Sequence, residues 1–143
     1  MSTQKIIKVG VIGAGRIGKI HAENLATRVP GVVVAAIADV NLKAAQELAE
    51  KLHVETVYSD YRKIIEDKTI DAVAICSSTD THADLIIAAA NAGKHVFCEK
   101  PVDHSLDRID KAIAAVNKAG VQCQIGFNRR FDPNFKKLRD LVQ

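Results

Sequence analysis

The chain has 143 residues, 48% of them hydrophobic and 26% charged, which places it among single folded domains and outside the disordered class. Lys and Arg total 20 against 17 for Asp and Glu, and a dispersed net charge of +3 argues against a nucleic-acid stripe and a polybasic membrane anchor. The six-residue apolar run Leu85 to Ala90 falls far short of the roughly 20 residues of a membrane span, and Met1 to Lys8 lacks the apolar core and cleavage site of a secretory leader, so a cytoplasmic chain is expected.

Ile6 to Ile12, interrupted only by Lys8 and Gly10, reads as a buried parallel strand that stops at Gly13. A helix carrying Ile17, Ile20, His21, Asn24 and Leu25 follows, and Pro30 and Gly31 precede a second strand, Val32 to Ile37. Asn41 is placed to cap a helix with the stripe Leu42, Ala45, Leu48, Ala49 and Leu52, after which Thr56 to Tyr58 is a short strand. Asp60 reads as the cap of a short helix bearing Ile64 and Ile65, and Ala72 to Cys76 as a fourth strand. Thr81 to Asn91 is a helix ending at Gly93, His95 to Cys98 a fifth strand, and Ser105 the cap of a helix through Ile109, Ala112, Ile113 and Val116 to Gly120. Gln122 to Ile125 is a sixth strand, and Asp132 with Pro133 opens a last helix bearing Phe135, Leu138, Leu141 and Val142. Strands alternating with helices imply an α/β fold, a doubly wound parallel sheet, because parallel neighbours need crossover connections that cover both faces. The last helix has no stop signal before Gln143, which suggests a truncated protein.

Gly13-Ala14-Gly15-Arg16-Ile17-Gly18 is a full G-x-G-x-x-G between the first strand and first helix. Its glycines suit a tight turn, close approach of a pyrophosphate, and packing of helix on strand, while the helix N-terminus favours the anion. Asp39 lies 21 positions after Gly18 at the end of the second strand, where a carboxylate can accept ribose hydroxyls and repel a 2′-phosphate. That pattern points to NAD; the competing role for Asp39 is to cap the next helix, for which Asn41 is also placed. In such sheets ligands lie beyond the C-terminal strand ends, which brings in Ser77, Ser78 and Thr79, and then Glu99, Lys100 and Pro101. Each of the first three also suits an ordinary helix entrance, and Lys100 by spacing alone suits solvent. Cys76, Cys98 and Cys123 are odd in number without short paired spacing, which leaves three buried or half-buried thiols and no metal site.

The opening V-G-V-I-G-A-G-R-I-G-x-x-H, the stretch T-H-A-D-L-I-I-A-A-A-N-A-G-K-H-V-F-C-E-K-P ending at Pro101, and G-F-N-R-R-F-D near residue 126 resemble the Gfo/Idh/MocA oxidoreductases, with the nearest likeness to the inositol 2-dehydrogenases. The resemblance covers essentially the whole chain. It implies a Rossmann fold over 1–130, with 131–143 starting a connecting helix toward a second, substrate-binding domain that this chain lacks. It also implies Lys100 as the catalytic lysine that holds the reacting hydroxyl and helps relay its proton, Glu99 as support for lysine and cofactor, and a cis bond before Pro101. His82 matches a position near the cofactor, with a packed core histidine as the alternative, whereas His21 reads as structural. Asn128 and Arg129 match the active-site edge, where Arg129 could meet a polyol hydroxyl, a cofactor phosphate or merely a surface carboxylate. The family's general base sits in the second domain and nothing here replaces it, His95 and His104 included. The whole is expected to oxidise a secondary alcohol of a cyclic polyol or sugar, with NAD as acceptor, as a dimer or tetramer, and the 143-residue piece to bind NAD with little turnover. The alternative is a non-catalytic nucleotide-sensing or regulatory module, since dinucleotide folds serve both ends.

Overall fold

The computed structural model describes residues 5–142, so the leader reading of Met1 to Lys8 lies partly, and the end of the last helix at Gln143 wholly, outside the described residues. Thirteen elements follow in order: β1 (Ile7–Ile12), α1 (Arg16–Thr27), β2 (Val32–Ala38), α2 (Leu42–Leu52), β3 (Val57–Tyr58), α3 (Arg62–Glu66), β4 (Ala72–Ile75), α4 (Thr79–Asn91), β5 (His95–Cys98), α5 (Leu106–Ala119), β6 (Cys123–Ile125), a 3-10 turn (Asn128–Phe131) and α6 (Pro133–Val142). The strands form one six-stranded sheet in the order β3-β2-β1-β4-β5-β6, with every pair parallel. This is the doubly wound Rossmann arrangement, and the chain reverses its direction of travel across the sheet between β1 and β4.

Alternation along each strand divides the core in two. Val9, Val11 and Ile37 point to the face covered by α1 and α2, where they meet Ala22, Ala45, Leu48 and Ala49. Ile12, Val73 and Ile75 point to the face covered by α3, α4 and α5, where they meet Ile64, Ile86, Ala89 and Ala112. Each fully buried Ile, Leu or Val contributes about 1.5–3 kcal/mol of burial free energy, so both faces are needed to hold so short a set of strands.

Several local expectations are corrected. Ser105 stands at the N-cap of α5 without a side-chain bond; Asp103, two residues earlier, accepts the Ser105 N–H at 3.0 Å and Arg108 Nε at 2.8 Å. Tyr61, not Asp60, adjoins α3, although Asp60 Oδ1 accepts the Arg62 N–H at 2.9 Å. α4 starts at Thr79, two residues before the expected Thr81. Ile20 is 49% exposed because α1 turns its small residues Gly18 and Ala22 onto the sheet. Phe135, Leu138, Leu141 and Val142 on α6 are all exposed, and so is Cys123, while Cys76 and Cys98 are buried. Asn41 does cap α2, accepting the Ala44 N–H at 3.3 Å.

Candidate functional site

A cavity of about 620 Å3 opens at the C-terminal ends of β1, β2 and β4, beside the point where the strand order reverses. Gly13 turns the chain out of β1 with φ +105°, and a β-carbon there would lie 2.6 Å from the Cys76 carbonyl. Gly18 packs so tightly under the turn that its β-carbon would meet Gly13 O at 1.9 Å. Gly15 is the opposite case: nothing lies within 4 Å of its would-be β-carbon, so its open side faces the cavity that Gly13, Arg16 and Ile17 also line. The first intrahelical bond of α1 runs from Lys19 N–H to Gly15 O at 3.0 Å, and no side chain caps the helix. The N–H groups of its first turn are thus available to an anion such as a pyrophosphate.

Asp39, at the end of β2, ties this loop down. Its Oδ2 accepts the Ala14 N–H at 2.6 Å and its Oδ1 the Asn41 N–H at 2.7 Å. Capping of α2 falls to Asn41, and Asp39 lines the cavity with lone pairs left on both oxygens. Ala14 itself is buried, so its contribution is that backbone bond. Val40, 95% exposed, offers an apolar lining beside the carboxylate.

Across the cavity stand Ser77 and Ser78. Thr81 Oγ1 donates to Ser78 O at 2.7 Å, so its contact of 2.7 Å with Ser77 Oγ must be one in which Ser77 donates. The Ser77 hydroxyl therefore presents only acceptor lone pairs to a ligand. Thr79, Gly18, His82, Glu99, Lys100 and Pro101 do not line the cavity. Ser59, Tyr61, Thr81 and Leu85 do, although the sequence singles out none of them as a site residue. The strand-end rule applied to β3, as it was to β4 and β5, would have found Ser59 and Tyr61. Cys76 also borders the cavity, but burial first and the Glu99 charge second push its thiol up to about 12, which leaves it protonated and unreactive.

The Lys100-Pro101 bond is cis, and Lys100 is exposed beyond the end of β5. Glu99, 8% exposed, accepts the Lys100 N–H on Oε2 at 3.1 Å and meets His21 Nε2 on Oε1 at 2.7 Å. His21 is thus more than packing. His82 is the buried alternative realised: 2% exposed, its Nδ1 faces Pro101 O at 2.8 Å and its Nε2 faces Ser77 O at 3.0 Å. It braces the two loops that follow β4 and β5 from behind the cavity wall. Lys100, Asn128 and Arg129 come together around a second cleft of about 430 Å3, with Phe127 and Arg130 at its edge. Arg129 lies 4.6 Å above the Phe135 ring, a cation-π contact that sets its direction, and no carboxylate pairs with it among the described residues. No helix among the described residues is long and apolar enough to cross a membrane.

A family model described as an oxidoreductase family with an NAD-binding Rossmann fold matches residues 7–127. The myo-inositol 2-dehydrogenase of Thermotoga maritima is 51% identical over 137 residues, 96% of this chain and 41% of that protein. An uncharacterized oxidoreductase of Bacillus subtilis is 50% identical over 139 residues, 97% of this chain and 40% of its own length. A crystal structure of scyllo-inositol dehydrogenase from Lactobacillus casei with bound NAD(H) and scyllo-inositol superposes with a TM-score of 0.90 at 37% identity, covering 96% of this chain and 41% of that one. The chain thus spans about 40% of the length of the curated relatives it matches.

Proposed function

Because this chain belongs to the Gfo/Idh/MocA family of oxidoreductases, in its NAD-binding Rossmann fold, we propose that it is the cofactor-holding part of a dehydrogenase acting on a secondary alcohol of a cyclic polyol of the inositol type. The observation that supports the reading is the bond of Asp39 to the Ala14 N–H, which sets the Asp39 carboxylate and the glycine turn on one cavity. The cavity lies within the roughly 300–1,000 Å3 of small-molecule and cofactor sites, and Gly15 leaves the open side that a pyrophosphate needs. Bound NAD supplies the hydride acceptor.

The chain's own residues do the rest of the work assigned here. First-turn N–H groups of α1 hold the pyrophosphate, Asp39 accepts the adenosine ribose hydroxyls and repels a 2′-phosphate, and Ser77 accepts from the cofactor with its free lone pairs. Lys100 Nζ donates to the reacting hydroxyl oxygen, lowering the cost of its proton's departure, while Asn128 and Arg129 orient neighbouring hydroxyls in the second cleft. Residues 1–130 form the cofactor domain and 131–143 begin the connection to a second domain that completes the substrate site and, with it, the homo-oligomer. The chain alone then binds NAD with little turnover.

Calorimetric titration with NADH and NADPH tests the cofactor half. NADH should bind and NADPH should bind far more weakly, with the preference lost in Asp39→Ala; equal affinity for both would overturn the assignment. NAD-dependent oxidation of myo-inositol by a chain completed with a second domain, and its loss in Lys100→Ala, tests the chemical half.

A further inference from the structure

Resting on the reading that Lys100 handles the substrate hydroxyl, we infer that His21 is a positioning residue for Lys100, acting through the carboxylate of Glu99. His21 lies on α1, the helix whose first residues Arg16 and Ile17 line the dinucleotide cavity. Its Nε2 donates to Glu99 Oε1 at 2.7 Å, and Glu99 Oε2 accepts the backbone N–H of Lys100 at 3.1 Å. One carboxylate therefore ties α1 to the end of β5, with His21 and Glu99 78 positions apart in sequence.

Three surroundings make this link stiff. Glu99 is only 8% exposed, so water does little to replace a lost partner. The His21 ring sits 4.8 Å from the Phe97 ring at 59°, which fixes its tilt from the sheet side. Gly126 stands beside the pair: its N–H bonds Cys98 O at 2.8 Å, and only a residue without a β-carbon fits there, since one would lie 3.1 Å from both Glu99 Oε1 and the Phe97 ring. Removing the donor leaves a buried acid unbalanced and releases the Lys100 backbone from α1. In effect, the helix that receives the phosphates and the strand end that presents the lysine are held in one register.

The Lys100 amide itself reports the link, read as hydrogen exchange by NMR on the 143-residue chain with and without NADH. His21→Phe keeps a ring against Phe97 and removes the donor; His21→Gln keeps a donor. The Lys100 amide should exchange about tenfold faster or more in His21→Phe, relative to amides within β5, and recover most of its protection in His21→Gln. NADH should slow its exchange in the native chain and not in His21→Phe. In the native chain alone, the His21 Nε2 hydrogen should be visible and slow to exchange. A Lys100 amide indifferent to His21→Phe, or a freely exchanging Nε2 hydrogen, overturns the inference. Failure of the native chain to bind NADH, with the Lys100 amide still dependent on His21, would count against the cofactor assignment and leave the positioning link standing.

Discussion

Asp39 does two things with one carboxylate, and the two can be separated. Asp39→Asn keeps an acceptor for one of the N–H groups it now holds but loses the charge that, in the proposed function, excludes a 2′-phosphate. It should cost about tenfold or more in NADH affinity while NADPH gains relative to NADH, as checked by calorimetry. At the other end of the sheet, Lys94 is 3% exposed, and its Nζ donates to Asp67 O at 2.7 Å and Ile70 O at 2.8 Å. Burial lowers the affinity of this amine for its proton, yet the two carbonyls need its hydrogens. Lys94→Met should therefore lose about 1–3 kcal/mol in urea unfolding and leave NADH affinity unchanged, because the clamp lies far from the cavity.

At the scale of elements, two ends of helices invite measurement. His53 ends α2 with φ 55°, a left-handed conformation that a side chain resists, so His53→Gly should stabilise the fold by about 0.5–1 kcal/mol in thermal unfolding. Asp103 enters α5 with its carboxylate held below the usual range, first by the Arg108 side chain and then by the Ser105 N–H. A depressed folded-state value means that its stabilisation is complete above the ordinary 3.8 and fades as pH falls through the folded value. The melting points of the native chain and Asp103→Asn should differ at neutral pH and converge in acid. Much of this level was legible beforehand: parallel strands buried on both faces leave runs such as Val32 to Ile37, and Asn41 caps a helix from its own neighbourhood. Ser105 does stand at the N-cap of α5, but its side chain makes no capping bond, a detail that residue type and position alone do not decide. The placing of the glycine turn and Asp39 on one cavity was readable because their spacing is a fixed local pattern between strand ends and a helix start. The His21 bond to Glu99 and the placing of His82 between two carbonyls were not, since nothing in the spacing of residues so far apart encodes their contact.

For the molecule as a whole, the sheet is a partition between two packed layers. Leu48 belongs to the layer under α1 and α2, and Ile86 to the layer under α4. Leu48→Ala and Ile86→Ala should each cost about 2–5 kcal/mol, and the losses should add to within about 0.5 kcal/mol in denaturant unfolding of the double variant. A larger coupling would mean that strain crosses the strands. The same architecture gives the molecule a head and a foot. The cavity and the Lys100 cleft sit at the C-terminal strand ends, while β1 starts at the opposite rim, about 20 Å away along its six residues. Tethered to a bead or an electrode through a side chain at the start of β1, the chain would stand with its cavity-bearing rim toward the bulk solution, an orientation suited to an immobilised dinucleotide sensor.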